Sequence, residues 1–358
     1  MPIAPHPFIW IWFLAVATCA LGTAVARTEL PRRLYLIGLG ISLALALLEV
    51  TFARRPTLGV TGLVESGTVT EGRYFVPDAD LGYAPAPGLR VTSRLASHDK
   101  VIYDVAYTIT RNGVRATEGN PAGDSWIFMG CSFAFGEGVN DDETLPSRFS
   151  DELGHKANVV NFAFHGYGPH QMLRILETNR ARALIHQPVQ QVIYEAIASH
   201  PQRSAGHVSW DRFGPRYVLS GKGVQFVGPF HEYVPGKALG LLLHSDFFSY
   251  LLERTLYRAR VSDDDVERYG RIVEQSARLA HDTLRAGFTV LYWDDDTDTG
   301  RRVLARLRTT GVPLILVSEI IPREDWPSIT LPVDGHPTAE ANRRLAAALR
   351  VRLGNASH

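Results

Sequence analysis

Two apolar runs open the chain and differ from everything after them. Phe8 to Ala26 carries no charged residue, and Leu34 to Ala53 carries only Glu49. Each suits a helix crossing a bilayer, which takes about 20 apolar residues. The connector, Arg27 to Arg33, predicts a hairpin turn. Residues 54–72 turn to Arg, Gly, Thr and Ser and read as a linker. Between 73 and 122, Pro and Gly clusters surround one alternating segment, Val101 to Thr110, which predicts a strand. Arg111-Asn112-Gly113 predicts a turn after it. Residues 57–122 are thus a linker and a small β-rich lead-in. From 123 to 358, apolar runs of strand length alternate with helical periodicity. The predicted strands are 125–130, 157–163, 190–197, 287–293 and 313–318, apolar through most of their length as strands buried on both faces are. The predicted helices are 143–153, 169–185, 264–286, 299–310 and 338–353. In the last, Ala341, Leu345, Ala348, Leu349 and Leu353 recur at helical spacing. Residues 201–243 break the alternation, with a hairpin predicted at Ser220-Gly221-Lys222-Gly223. An insertion of that length predicts a lid or substrate-shaping element. The expected fold is α/β: three layers, α/β/α, around a five-stranded parallel sheet, preceded by two transmembrane helices at 8–26 and 34–53.

Composition narrows the partners. The 358 residues carry 37 basic and 37 acidic side chains, which excludes a strong nucleic-acid footprint. The two cysteines, Cys19 and Cys131, imply no disulfide framework. A cleaved signal peptide ending at Ala24-Val25-Ala26 competes for the first run, but no Lys or Arg precedes that run. Arg27, Arg32 and Arg33 in the connector outnumber Arg54 and Arg55 beyond the second run. The positive-inside rule then puts the connector in the cytoplasm and the main domain outside the cell membrane, in a periplasmic setting. The lipid bilayer is the expected partner. Glu49 either faces a partner helix or reaches water at the interface.

In an open parallel sheet the active crevice lies beyond the carboxyl ends of the strands. Ser132 follows the first strand inside the glycine-flanked turn Gly130-Cys131-Ser132. Phe164-His165-Gly166-Tyr167-Gly168 follows the second, Ser199-His200 the third, and Asp294-Asp295-Asp296 the fourth. Asp334 and His336 precede the last helix. A serine hydroxyl needs a base, His336, and the base needs an orienting carboxylate, Asp334. Attack on an ester creates an oxyanion, for which the amides of Ser132 and Gly166 are the candidate donors. Cys131 reads as a small buried thiol. The Asp294–Asp298 run lacks the glycine and terminal acid of a calcium loop and reads as a strand-to-helix loop with an N-cap. The thirteen histidines show no zinc-binding spacing, so neither metal nor cofactor is expected. Gly130-x-Ser132-x-Ala134 is close to the nucleophile elbow of α/β-hydrolases. In that fold acid and histidine come from separate loops, whereas Asp334 and His336 are neighbours here.

These blocks resemble the SGNH (GDSL-like) hydrolase superfamily over roughly 123–353. Gly130-Cys131-Ser132, continued by Phe133-Ala134-Phe135-Gly136-Glu137-Gly138-Val139, resembles its first block. Val160 to Gly168 resembles the second, with Gly166 matching the oxyanion glycine. Asp334-Gly335-His336-Pro337 resembles the last. The resemblance implies a flavodoxin-like α/β/α domain and a serine esterase or O-acyltransferase working through an acyl-enzyme. Three departures stand out. Cys131 replaces an aspartate, only one residue separates Asp334 from His336, and Ala196–Pro201 lacks the asparagine that completes the oxyanion hole. Ser199 or His200 is the candidate substitute donor. Outside the membrane, the expected substrate is an acylated glycan or lipid-linked molecule. The alternative is an inactive SGNH-like domain serving as a glycan-binding or assembly subunit of a membrane complex.

Overall fold

In a computed structural model the described residues are 7–53, 74–97, 100–233 and 260–354, together with Ser245, Phe247, Phe248, Tyr250, Leu251 and Thr255. The expected linker at 54–72 and the stretch 234–243 of the insertion lie outside them. The chain divides into two compact units: Met1–Gly59 with His231–Ala259, and Val60–Phe230 with Arg260–His358.

The first unit holds α1 (Pro7–Val25) and α2 (Glu29–Ala53). Among the described residues, Glu29–Phe52 is long and apolar enough to cross a membrane, and Trp10–Val25 is a shorter apolar helix. The turn between them is tighter than expected. Helix α2 already begins at Glu29, because Pro31 sits in its first turn, where a missing N–H costs nothing. The helices pack closely: a Cβ at Gly22 would stand 2.5 Å from the Tyr35 ring. Their outer apolar side chains are exposed, with Leu14 at 69% and Leu47 at 68%. Glu49 is buried and accepts from the Ser245 hydroxyl at 2.7 Å and the Phe247 amide at 3.4 Å. Phe247 and Tyr250 also pack on Phe52. The carboxylate in the apolar run thus faces a segment inserted far downstream.

The second unit begins with two antiparallel pairs, β1 (Phe75–Asp78) with β2 (Gly82–Pro85) and β3 (Arg90–Ser97) with β4 (Lys100–Thr108). One face of the second pair, including Val91, Leu95, Tyr103, Val105 and Tyr107, joins the main core. The turn at 111–113 forms with Gly113 at φ +74°. The main sheet contains β5 (Ser125–Gly130), β6 (Asn158–Asn161), β7 (Val189–Ile197), β10 (Gly287–Trp293) and β11 (Leu314–Leu316). Between β7 and β10, β8 (Pro215–Ser220) and β9 (Gly223–Pro229) make the expected hairpin. The sheet is wholly parallel in the order β11-β10-β7-β5-β6.

Side chains alternate across it, as strand geometry requires. Ile127, Met129, Val192, Tyr194, Val290 and Tyr292 face α5 (Pro169–Glu177) and α8 (Asp263–Leu279). Phe128, Ile193, Leu291 and Ile315 face α4 (Leu145–Glu152) and α11 (Ala339–Gly354). This is the expected three-layer α/β/α arrangement. Between these lie α3 (Ser132–Phe135), α6 (Arg180–Leu184), α7 (His200–Ser204), α9 (Asp298–Arg308) and α10 (Trp326–Ile329).

Several elements differ from the sequence expectation: β1, β2 and β3 join the one strand expected in the lead-in, and β6 covers only Asn158–Asn161 of the expected 157–163. The helix expected over 169–185 breaks into α5 and α6 at Asn179, whose φ is +57°; asparagine tolerates that region better than most residues. Arg180 then pairs with Asp78 at 2.7 Å, drawing α6 toward β1. The last strand stops at Leu316 because Ser318 turns its amide and hydroxyl onto Asp294, at 3.0 and 2.6 Å. The Asp294–Asp298 loop ends in an N-cap: Thr297 Oγ1 accepts from the Gly300 amide at 3.0 Å.

Candidate active site

β5 lies between β6 and β7, and the chain leaves β5 for one neighbour and returns to the other. Such a reversal opens a crevice beyond the strand ends. The turn after β5 enters it. Gly130 has φ +154°, and a Cβ there would meet the Glu195 carbonyl on β7 at 2.8 Å. A residue with a side chain would push the two strands apart at this point. The chain then makes one helical turn, α3, with Ser132 as its first residue. Asn161, at the end of β6, donates to the Ala134 carbonyl at 2.8 Å and fixes that turn.

Ser132 is 5% exposed and lies 204 residues from His336 in sequence. Its Oγ stands 2.7 Å from His336 Nε2. On the other side of the ring, Nδ1 stands 2.9 Å from Asp334 Oδ1 in ion-pair contact, with the N–H off the hydrogen-bond axis. In ligand-free sites such contacts often align only on binding. The three residues are brought together from the end of β5 and the approach to α11.

Sequence reasoning missed a second carboxylate, although Glu137 stands inside the first motif. It is 2% exposed, and its Oε2 lies 3.5 Å from His336 Nε2 and 2.7 Å from His165 Nδ1. Burial would raise its pKa, but His336 and then His165 outweigh burial and lower it to about 2. An ionised carboxylate only accepts, so His165 Nδ1 carries the proton between them. The far nitrogen of His165 meets the Tyr74 hydroxyl at 2.9 Å. For His336, burial pushes the imidazole down, while Glu137 and Asp334 overcome this and hold its pKa above the ordinary value.

The loop carrying Glu137 is held from the lead-in. Arg115 is 1% exposed and donates to the carbonyls of Phe135, Gly136 and Val139 at 3.1, 3.1 and 2.9 Å. It also pairs with Asp141 at 3.0 Å. The Tyr107 hydroxyl accepts from the Gly138 amide at 2.9 Å. No motif flags Arg115, because most of its partners are main-chain carbonyls.

Gly166 has φ +72°, and a Cβ there would lie 2.7 Å from Tyr83 Oη and 2.8 Å from Trp210 Nε1. Tyr83 donates to the His165 carbonyl at 2.8 Å, and the Trp210 indole to the Gly166 carbonyl at 3.4 Å. Ser199 is half-buried at the start of α7. His200 is fully buried, with Nδ1 at 2.5 Å from the Tyr194 hydroxyl. Burial, with Arg203 and His170, holds its pKa well below the ordinary value, so its ring is neutral. Cys131 is fully buried, and burial raises its thiol pKa. In the strand beside Gly130, buried Glu195 accepts from the Trp293 indole at 2.7 Å, and burial pushes its pKa up to about 7.

Among the described residues, the cluster able to hold a cation is Glu137, Asp334 and His336, whose ligand atoms lie within 4.8 Å of one another. A cation there would have to displace one of the contacts His336 now makes with Ser132 and Asp334.

No protein-family model matches this chain, and no curated relative matches it. Solved structures do match at a distance. TesA shares 10% identity at a TM-score of 0.39, over 64% of this chain and 97% of that one. A carbohydrate acetylesterase family member from Sinorhizobium meliloti shares 12% at 0.32, over 64% and 99%. The salicylyl-acyltransferase SsfX3 of a tetracycline biosynthetic pathway shares 11% at 0.36, over 65% and 55%. At such low identity and superposition, the chemistry of the site is read from its own geometry.

Proposed function

We propose that this chain is a membrane-anchored serine esterase or O-acyltransferase. The contact of Ser132 Oγ with His336 Nε2, at 2.7 Å, carries the reading. Residues so far apart in sequence meet at a strand end only if the fold assembles them. His336 is the base that takes the Ser132 proton, and Asp334 orients the ring and stabilises its charged form. Glu137 adds a second negative charge to the same imidazole, which favours the imidazolium formed as Ser132 attacks. The amides of Ser132 and Gly166 are the first candidate oxyanion donors. Water or an acceptor hydroxyl then resolves the acyl-serine, giving hydrolysis or transfer.

In this reading α1 and α2 form a membrane hairpin. The length of α2 and the exposed apolar side chains of both helices support it, because such surface is costly in water. An extracytoplasmic site beside a bilayer suits an acylated glycan or a lipid-linked substrate. The missing asparagine in Ala196–Pro201 favours the second reading, a binding or assembly subunit without turnover.

A fluorophosphonate probe separates the two. Treated full-length protein is digested and its peptides weighed. An adduct on Ser132 in the parent, lost in His336→Ala, is the expected result. Folded protein that takes no adduct would overturn the enzyme reading in favour of the binding role.

A further inference from the structure

We infer that Arg203 supplies the donor this site lacks where asparagine is missing, facing the oxyanion that forms on attack by Ser132. The inference rests on the esterase reading above. Sheet order carries the geometry. The end of β5 presents Ser132, and its flanking strands are β6 and β7. Helix α7 follows β7 and places Arg203 one turn beyond Ser199. From there, Arg203 Nη1 donates to the Tyr167 carbonyl, in the loop after β6, at 2.7 Å. Nη2 reaches Ser199 Oγ at 3.5 Å. The guanidinium therefore ties the loop after β6 to the helix after β7, the two segments that flank the end of β5. These are the loops from which Gly166 and a third-strand residue were expected to donate.

The neighbours feel its charge. Arg203 helps to lower the pKa of Glu137, opposes the rise that burial imposes on Cys131, and works against the imidazolium of His336. Each of those groups lies in or beside the serine turn. The other candidate, His200, has its Nδ1 on the Tyr194 hydroxyl, and its buried Nε2 meets no partner among the described residues. A guanidinium has five N–H donors in a rigid fork, and its two hydrogen bonds among the described residues engage one each. It can hold its place and still present a donor.

The step is ordinary ester attack. Ser132 Oγ bonds to the carbonyl carbon, its proton passes to His336 Nε2, and the π pair moves onto the carbonyl oxygen. Arg203 faces that new charge. Collapse re-forms the carbonyl and breaks the bond to the leaving oxygen, which takes the proton from His336. The acyl group remains on Ser132.

The test is turnover of p-nitrophenyl acetate by the full chain in detergent. Loss of one oxyanion donor costs about 100-fold or more in kcat. Arg203→Ala should lose about that much with KM little changed, because the interaction forms only in the transition state. Arg203→Lys should fall between, and added guanidinium ion should restore part of the Arg203→Ala rate but none of Ser132→Ala. A purely structural arginine would lower the melting temperature and gain nothing from guanidinium, which would overturn the inference. So would an Arg203→Ala enzyme within about threefold of the parent in kcat. Should the parent turn over no ester, the labelling rate of Ser132 by the fluorophosphonate is compared instead, with the same slowing expected. A parent that neither turns over nor labels removes the esterase reading and this inference with it. An active parent unaffected by Arg203→Ala removes this inference alone.

Discussion

His336 stands between three oxygens with different demands: Ser132 Oγ and Glu137 Oε2 at Nε2, and Asp334 Oδ1 at Nδ1. Two carboxylates beside one buried ring explain why its pKa rises although burial alone would depress it. The balance predicts a pH effect. A base works only when deprotonated, so kcat/KM falls on the acid side as pH drops through the His336 pKa. Glu137→Gln removes a negative charge, makes the imidazolium less favourable and lowers that pKa. The acid limb should therefore move to lower pH. A profile of kcat/KM against pH for parent and variant checks this. An acid limb that stays in place, or moves up, would show that Glu137 does not set the proton affinity of His336. Glu137 was in view in the sequence as part of a motif. Its role was not legible there, because that depends on His165 arriving from the end of β6, and no spacing rule links the two.

At the level of elements, the serine turn is built from three directions: β5 supplies it, Asn161 on β6 holds α3, and Arg115 from the lead-in holds the loop after it. Arg115 is the strongest of these ties. Arg115→Ala leaves the carbonyls of Phe135 and Val139 without their donor, leaves the Gly136 carbonyl with only the Val139 amide at 3.4 Å, and opens a cavity under Tyr107 and Phe135, which the guanidinium now covers at 4.3 and 4.4 Å. Each orphaned buried acceptor costs about 1–3 kcal/mol, so a total loss of at least about 2 kcal/mol is expected. Denaturant unfolding of the full chain reads it, and a loss under about 1 kcal/mol would refute this account. The parallel strands were legible because largely apolar runs of four to six residues alternate with helical patterns, as in Trp126–Met129 and Phe288–Trp293. What escaped the sequence were polar ties that cut an element short. Asp294 drawing Ser318 out of β11 is one, and Arg180 pulling α6 away from α5 toward Asp78 is another. Local pattern reports which face is buried; it does not report where a distant carboxylate will claim a backbone amide.

For the whole molecule, the open question is how the proposed hairpin sits in the bilayer. Helix α1 has 19 residues, and at about 1.5 Å per residue it spans close to the ~30 Å hydrocarbon core. Helix α2 has 25 residues and reaches past it. Arg27, Arg32 and Arg33 cluster where the two helices meet, and moving that cluster outward would oppose the positive-inside bias. The native thiols give a quiet background for testing this, since Cys131 is buried and Cys19 lies against Gly38 in the hairpin, 3.0 Å from where a Cβ would sit. A cysteine placed at Thr28 should react with a membrane-impermeant maleimide only after spheroplasts are opened. One placed at Lys222, at the tip of the β8–β9 hairpin, should react in intact spheroplasts. The opposite pair of results would invert the orientation and put the site in the cytoplasm, among different acyl donors and acceptors. Labelling of both positions from outside would mean that α2 does not cross the membrane between them. Of these outcomes, only the inverted one places Ser132 away from glycans and lipid-linked molecules outside the cell.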